Sequence, residues 1–284
     1  MEWNAYFVSL SINSPVHIGY NSISHIEMTR YYVPATNLLG ACAAAFNKGG
    51  DGCIPENKRC VEDYFRFSNF YISKNGRDAL YPNLGMDGNL SYGNEEVPLL
   101  DMSTRFISNR EAPKFGIQIR NDLEFIVPKN NSSGTQNYLV GYMFVSTGAE
   151  KNFPRWLIEL RELHIGEETR HGLGRVSLKS LEEIQVPEGE TPLFGLEGVR
   201  VNWSREEITV IYTQPGPLLG HAVVKRGNLR NIYGVTEARE GRIDLSGRAA
   251  GAEAGRGLWV PGTLIIPPET GAVFTVERDG IWCY

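Results

Sequence analysis

The sequence has little of what marks several large classes of protein. Four cysteines in 284 residues, Cys42, Cys53, Cys60 and Cys283, are too few and too unevenly spaced for a disulfide framework, and no Cys-x-x-Cys pair offers a zinc knuckle. Cys42 reads as a core residue, and Cys53 and Cys60 as bracketing a loop; no metal ion and no cofactor is expected. There is no run of about 18 apolar residues, and Met1 to Tyr6 lack the basic segment that leads a signal peptide. Neither a membrane span nor a leader is therefore expected, and the chain reads as cytoplasmic with no membrane partner. Cationic residues are in deficit too, and the net charge is -5. A protein that coats nucleic acid indiscriminately displaces counterions with many lysines and arginines, so any nucleic-acid contact here must be local.

What is present suffices for a real core: 42% of residues are hydrophobic and 31 are glycine, which suits one large domain or two modest ones. Tyr6, Val8, Leu10 and Ile12 alternate with Phe7, Ser9 and Ser11, the period of a strand with one buried face. After a polar stretch, Pro34 and Thr36 precede Leu38, Leu39, Cys42, Ala43 and Phe46, one apolar face of a helix that ends at Asn47 and Gly49-Gly50. Phe65, Phe67 and Tyr71 mark a second strand. Residues 74–121, rich in Gly, Asn, Pro and charge, read as an insertion. Leu123 to Val127 and Tyr138 to Val145 read as a hairpin around Asn131-Ser132-Ser133-Gly134. Asn152 and Pro154 open a helix with Phe153, Trp156, Leu157, Leu160 and Leu163 on one side, followed by a glycine loop and a strand from Val176 to Leu181. With one extra strand allowed, the fold class is α+β: a ferredoxin-like (RRM-like) βαββαβ domain over residues 1–185, both helices on one face of an antiparallel sheet and the other face open for a ligand. A linker at 186–198 and a β-rich region at 199–284 follow, with strands expected at Glu207 to Tyr212, Leu258 to Ile266 and Ala272 to Glu277.

The segment Leu163-His164-Ile165-Gly166-Glu167-Glu168-Thr169-Arg170-His171-Gly172-Leu173-Gly174-Arg175-Val176 is the most informative. Its glycines permit close backbone approach, their amides can cradle phosphate, and Arg170 and Arg175 can neutralise it. The plainer reading is a helix cap followed by a tight turn. A P-loop or Rossmann loop does not fit, because this loop follows a helix and no Lys-Ser/Thr pair follows its last glycine.

This spacing resembles the glycine-rich loop of the RAMP superfamily, the ferredoxin-like RNA-binding subunits of CRISPR effector complexes. Two further segments resemble its signatures in the same order: Pro15-Val16-His17-Ile18-Gly19 after the first strand, and Tyr31-Tyr32-Val33-Pro34-Ala35-Thr36-Asn37-Leu38-Leu39-Gly40-Ala41 leading into the first helix. Ala35 stands where a glycine is usual and Leu39 where an arginine is usual. Together the matches cover residues 6–181. The resemblance is strongest to the group that caps the 5′ handle of the CRISPR RNA in type III and related systems, and it implies a non-catalytic subunit. The implied partners are the guide RNA (crRNA) and other effector subunits, especially backbone RAMP subunits. RNA contacts are expected from His17, Gly19, Arg30 and Tyr31, and from Gly166, Thr169, Arg170, His171, Gly172, Gly174 and Arg175.

Catalysis has a weaker basis. Some repeat-cleaving members of the superfamily use a histidine near the first helix, which makes His25 the runner-up catalytic residue, with Arg30, Tyr31 and Tyr32 as the nearby side chains able to assist a metal-independent cleavage. A backbone subunit repeating along the guide is the other alternative; Asp51 then occupies the loop where such subunits carry a cleaving aspartate, although turn geometry alone explains an aspartate there. In the insertion, Arg105, Arg110, Lys114 and Arg120 interleave with Phe106 and Phe115, which suits stacking on splayed single-stranded RNA or an ordinary solvated surface. Lys225 and Arg226, with Arg230, form a further basic patch.

Overall fold

The computed structural model describes residues 2–46, 54–93, 104–115, 121–186, 189–204, 207–224, 229, 231–237 and 257–284, and the side chains of all of these except 54–58 and 114–115. The chain is α+β and dominated by strands. Its first strand, β1 (Trp3–Ile12), is followed by the hairpin β2 (Gly19–Ile23) and β3 (Ile26–Thr29), the short β4 (Tyr32–Val33), and the helices α1 (Ala35–Phe46) and α2 (Ile54–Tyr64). Then come β5 (Phe65–Phe67), β6 (Phe70–Ser73), β7 (Pro82–Leu84), β8 (Leu90–Tyr92), β9 (Thr104–Ile107), β10 (Asp122–Ile126) and β11 (Tyr138–Ser146). Two helical turns, Ala149–Asn152 and Trp156–Glu159, lead to β12 (Glu162–His164) and β13 (Arg175–Glu183).

The main sheet runs β12-β13-β1-β11-β6-β4, with β5 also on β11. β1 is antiparallel to both β11 and β13, and β11 to β6. On one face Val8, Leu10 and Ile12 meet Leu38, Leu39 and Cys42 of α1 and Trp156, Leu160 and Leu163. Each such large side chain taken from water contributes roughly 1.5–3 kcal/mol.

The other face is not open. Trp3, Ala5, Tyr71, Tyr142 and Phe144 lie against Leu193, Val210, Phe274 and Trp282 in a second core. The C-terminal strands that supply it form an eight-stranded sheet, which runs from Glu190–Pro192 through Val199–Asn202, Thr209–Tyr212 and Ala272–Val276 to Trp282–Cys283 and beyond. The alternation in β1 marks a strand, but Trp3 and Ala5 on its second side are buried too, so the expected open ligand face is corrected. The segment Leu258 to Ile266 is two short strands, Leu258–Trp259 and Leu264–Ile265, rather than one.

Four other expectations are corrected. Leu123–Val127 and Tyr138–Val145 do not pair as a hairpin: β10 joins β9 and β3 in a separate four-stranded sheet, and the residues between the two segments are linked by the Lys129–Gln136 bridge and the hydrogen bond from the Asn137 amide to the Pro128 carbonyl. The helix expected from Asn152 and Pro154 through Leu163 is a single turn, Trp156–Glu159, and Leu163 lies in β12. The segment carrying Cys60 is helix α2 rather than a loop, with Cys60 exposed and Val61 buried. The aromatic strand is interrupted at Ser68-Asn69, where Asn69 Oδ1 accepts from the amide of Ala35 at the start of α1. Among the described residues no helix is long and apolar enough to cross a membrane.

Candidate nucleic-acid interface

Two of the singled-out segments, Pro15 to Gly19 and the glycine loop, meet beside β1 and β13. The glycine loop joins β12 to β13, and is thus the connection of a hairpin rather than a helix-to-strand turn. It lies on the segment after β1: the amide of Gly174 donates to the carbonyl of Pro15 (2.7 Å) and that of Glu167 to the carbonyl of His17 (2.9 Å). Gly166 and Gly174 have φ of +89° and +79°, and a Cβ on either would lie 2.1 Å from the His17 carbonyl oxygen or 2.2 Å from that of Ile165. Their glycine requirement is therefore internal. Gly172, at φ +90°, faces open space.

The amides of Glu167, His171, Gly172, Leu173 and Gly174 all donate to carbonyls of the protein, so these five are already engaged within the fold. Arg170, His171 and Arg175 are exposed, and Thr169 is half-buried in the turn between Glu168 and Gly172. His171 Nδ1 is in contact with the Glu168 carboxylate. Beneath the loop, Leu173 packs with Ile107, Ala112, Leu123, Phe125 and Val127, which ties it to the insertion. On the insertion, Arg105, Phe106 and Arg110 are exposed, with Arg105 opposite Phe125 in the β9–β10 ladder. The side chain of Lys114, and Asp51, Arg120, Lys225, Arg226 and Arg230, lie outside the described residues.

His17 is fully buried. Its Nδ1–H donates to the carbonyl of Glu124 (2.7 Å), which lies 107 residues away in sequence, and Nε2 has no hydrogen-bond partner among the described residues. Nε2 lies 3.9 Å from Glu27 Oε2 and 4.0 Å from Glu167 Oε2. The absence of a side chain at Gly19 makes room for this arrangement, because a Cβ there would sit 2.9 Å from Glu167 Oε1. Glu27 was not legible as part of a site, since no spacing links the β2–β3 hairpin to the glycine loop that carries Glu167.

Arg30 and Tyr31 are drawn into the protein. Arg30 donates to Glu237 Oε2 (2.6 Å) and to the Tyr32 hydroxyl (3.1 Å), and its guanidinium covers the ring of Tyr20 at 5.2 Å. Tyr31 donates to Glu124 Oε1 (2.8 Å), and Glu124 Oε2 accepts from the amide of Thr29 (2.9 Å). Burial first, and then the Glu124 carboxylate, push the Tyr31 hydroxyl well above the ordinary tyrosine range; burial does the same to Tyr32. His25, at the exposed tip of the hairpin, has Asp122 Oδ2 3.2 Å from its Nε2 and Ser24 Oγ 3.2 Å from its Nδ1. Arg30, Tyr31 and Tyr32, expected as its assistants, are engaged with other groups.

No protein-family model matches the chain, and no curated protein matches it. Among solved structures it is similar to oligomeric Cmr4 from Pyrococcus furiosus, at 12% identity over 65% of this chain and 100% of that one with a TM-score of 0.32. It is similar to a CRISPR protein from Archaeoglobus fulgidus at 16% identity over 74% and 79%, with a TM-score of 0.33. A chain of the Type III-B Cmr-beta structure bound to cognate target RNA shares 11% identity over 92% of this chain and 86% of that one, with a TM-score of 0.40.

Proposed function

We propose that the chain is a RAMP-superfamily subunit of a CRISPR effector ribonucleoprotein, and that it holds guide RNA without cleaving it. The observation that carries the reading is the convergence of its signature-like segments: Pro15 to Gly19 and the glycine loop, far apart in sequence, interlock through two backbone hydrogen bonds and leave Arg170 and Arg175 exposed. The sheet order β13-β1-β11-β6, antiparallel throughout, with helices between β1 and β5 and between β11 and β12, supports a ferredoxin-like unit over this part of the chain. The RNA path follows the loop and the exposed Arg105 and Arg110, because the sheet's second face is filled. Of the two binding roles, capping the 5′ handle is favoured over repeating along the guide, and other effector subunits complete the groove.

The test is fluorescence anisotropy with guide RNA across a salt series. Arg170→Ala with Arg175→Ala should weaken binding by about 1–3 kcal/mol per contact and flatten the salt dependence at unchanged melting temperature. Full affinity in that double variant would sink the proposal. On long RNA a cap binds once, whereas a backbone subunit forms regular arrays. The second reading, a metal-independent repeat endoribonuclease, is favoured by the His25–Asp122 pair; it requires site-specific cleavage of repeat RNA that is lost in His25→Ala.

A further inference from the structure

We propose that His17, Glu27 and Glu167 form a binding site for a divalent first-row transition metal, which fastens the glycine loop to the β2–β3 hairpin. Their ligand atoms all lie within 4.8 Å of one another. Three features separate this cluster from an ordinary group of surface acids. The first is the imidazole: it is fully buried, and its Nδ1–H is fixed on the Glu124 carbonyl, which directs the Nε2 lone pair between the two carboxylates. That is the outer-shell arrangement that metal-bound histidines use to hold their tautomer. The second is that Nε2 has no hydrogen-bond partner among the described residues. Glu27 Oε2 and Glu167 Oε2 both stand near 4 Å from it, beyond hydrogen-bond reach. The third is the orientation of the carboxylates. Asn121 Nδ2 donates to Glu27 Oε1 (2.5 Å), leaving Oε2 for the ion, and the Glu167 amide is anchored on the His17 carbonyl.

The ion class follows from the donors. An imidazole with two carboxylates suits Zn²⁺, Co²⁺, Mn²⁺ or Fe²⁺ better than Mg²⁺, which prefers oxygen ligands and retains its waters. A tetrahedral ion with bonds near 2.1 Å needs ligand atoms about 3.4 Å apart. The two separations from Nε2 therefore have to shrink by about half an ångström, and the carboxylates have to draw in on each other from within 4.8 Å, which the partly exposed Glu27 and Glu167 side chains can supply. With three protein ligands, one coordination position faces solvent. The site stands independently of the RNA-binding reading.

Chelator-treated full-length protein is titrated with Co²⁺ and with Zn²⁺, followed by calorimetry, the visible Co²⁺ spectrum and thermal melting. One Co²⁺ per chain, a visible band and a raised melting temperature are expected, with Mg²⁺ bound at least about tenfold more weakly. His17→Gln alters a buried residue and can disturb the fold, so the deciding variants are Glu27→Gln and Glu167→Gln, each expected to weaken Co²⁺ by at least about tenfold at unchanged metal-free stability. Three results would overturn the proposal: no saturable binding, unchanged Co²⁺ affinity in the Glu27→Gln, Glu167→Gln double variant, or nitrogen shifts of a doubly protonated His17 at neutral pH in the presence of saturating Zn²⁺.

Discussion

Two buried histidines, one beside a single carboxylate and the other beside two, are treated in opposite ways. His221 sits where the N-terminal and C-terminal regions meet, with Nε2 3.0 Å from Glu237 Oε1 and 3.1 Å from the Tyr32 hydroxyl, while Arg30 closes the group from the other side. Every partner there is within hydrogen-bond reach. His17 has one nitrogen satisfied and the other facing two carboxylates across about 4 Å. A closed polar network fixes one arrangement of the chain, whereas a half-closed one carries a cost until something completes it. The first therefore reads as a lock between regions and the second as a site.

The largest effect expected is on the glycine loop that frames the open site. Gly174→Val forces a β-branched residue to φ +79° with its Cβ 2.2 Å from a carbonyl oxygen, and should cost about 3–5 kcal/mol in denaturant unfolding. Next is the closed network: Glu237→Ala strands Arg30 in a partly buried position and should cost about 2–3 kcal/mol, less than for a fully buried pair because both side chains retain some exposure. Its pH dependence sharpens the comparison. Burial pushes the Glu237 carboxyl up, but the hydrogen bond and charge of His221, and then those of Arg30, more than reverse this and hold it below the usual carboxylate range. The stabilisation is thus complete above the unfolded carboxylate pKa of about 4.3 and is lost as pH falls through the lower folded value. The melting-temperature gap between wild type and Glu237→Gln should be full at pH 6–7 and close below about pH 4. Gly172→Val, at φ +90° in open space, should cost only about 1–2 kcal/mol. Smallest of all, Glu27→Gln and Glu167→Gln should change metal-free stability by less than about 0.5 kcal/mol; a loss comparable to that of Glu237→Ala would show that the half-closed group is a second lock.

The sequence makes legible those elements whose signal is local. The alternation from Tyr6 to Ile12 and the apolar face from Leu38 to Phe46 lie within β1 and α1, and the strands near 207–212 and 272–277 appear as Thr209–Tyr212 and Ala272–Val276. Long-range pairing is not written locally. Leu123 to Val127 carries a strand pattern, but nothing within it says that its partners are Ile26-Glu27 and β9 rather than β11. The same limit applies to the site. His17, Gly19, Gly166 and Gly174 belong to recognisable segments and do meet, whereas Glu27 and Glu124 become their neighbours only through tertiary packing, as Glu167 of the glycine loop does for His17. Arg30 and Tyr31 look like free polar side chains until Glu237 and Glu124 claim them.

The filled second face of the main sheet makes the two halves of the chain thermodynamically inseparable. Trp3, Tyr71, Tyr142 and Phe144 gain their cover from Leu193, Val210, Phe274 and Trp282, and the turn at Gly280 abuts Ala35 at the head of α1. A truncation after β13 would expose an aromatic slab to water and should aggregate rather than yield a soluble fragment. The intact chain should melt in a single cooperative transition, so damage done near Trp282 is felt at the glycine loop as a lower probability of being folded at all.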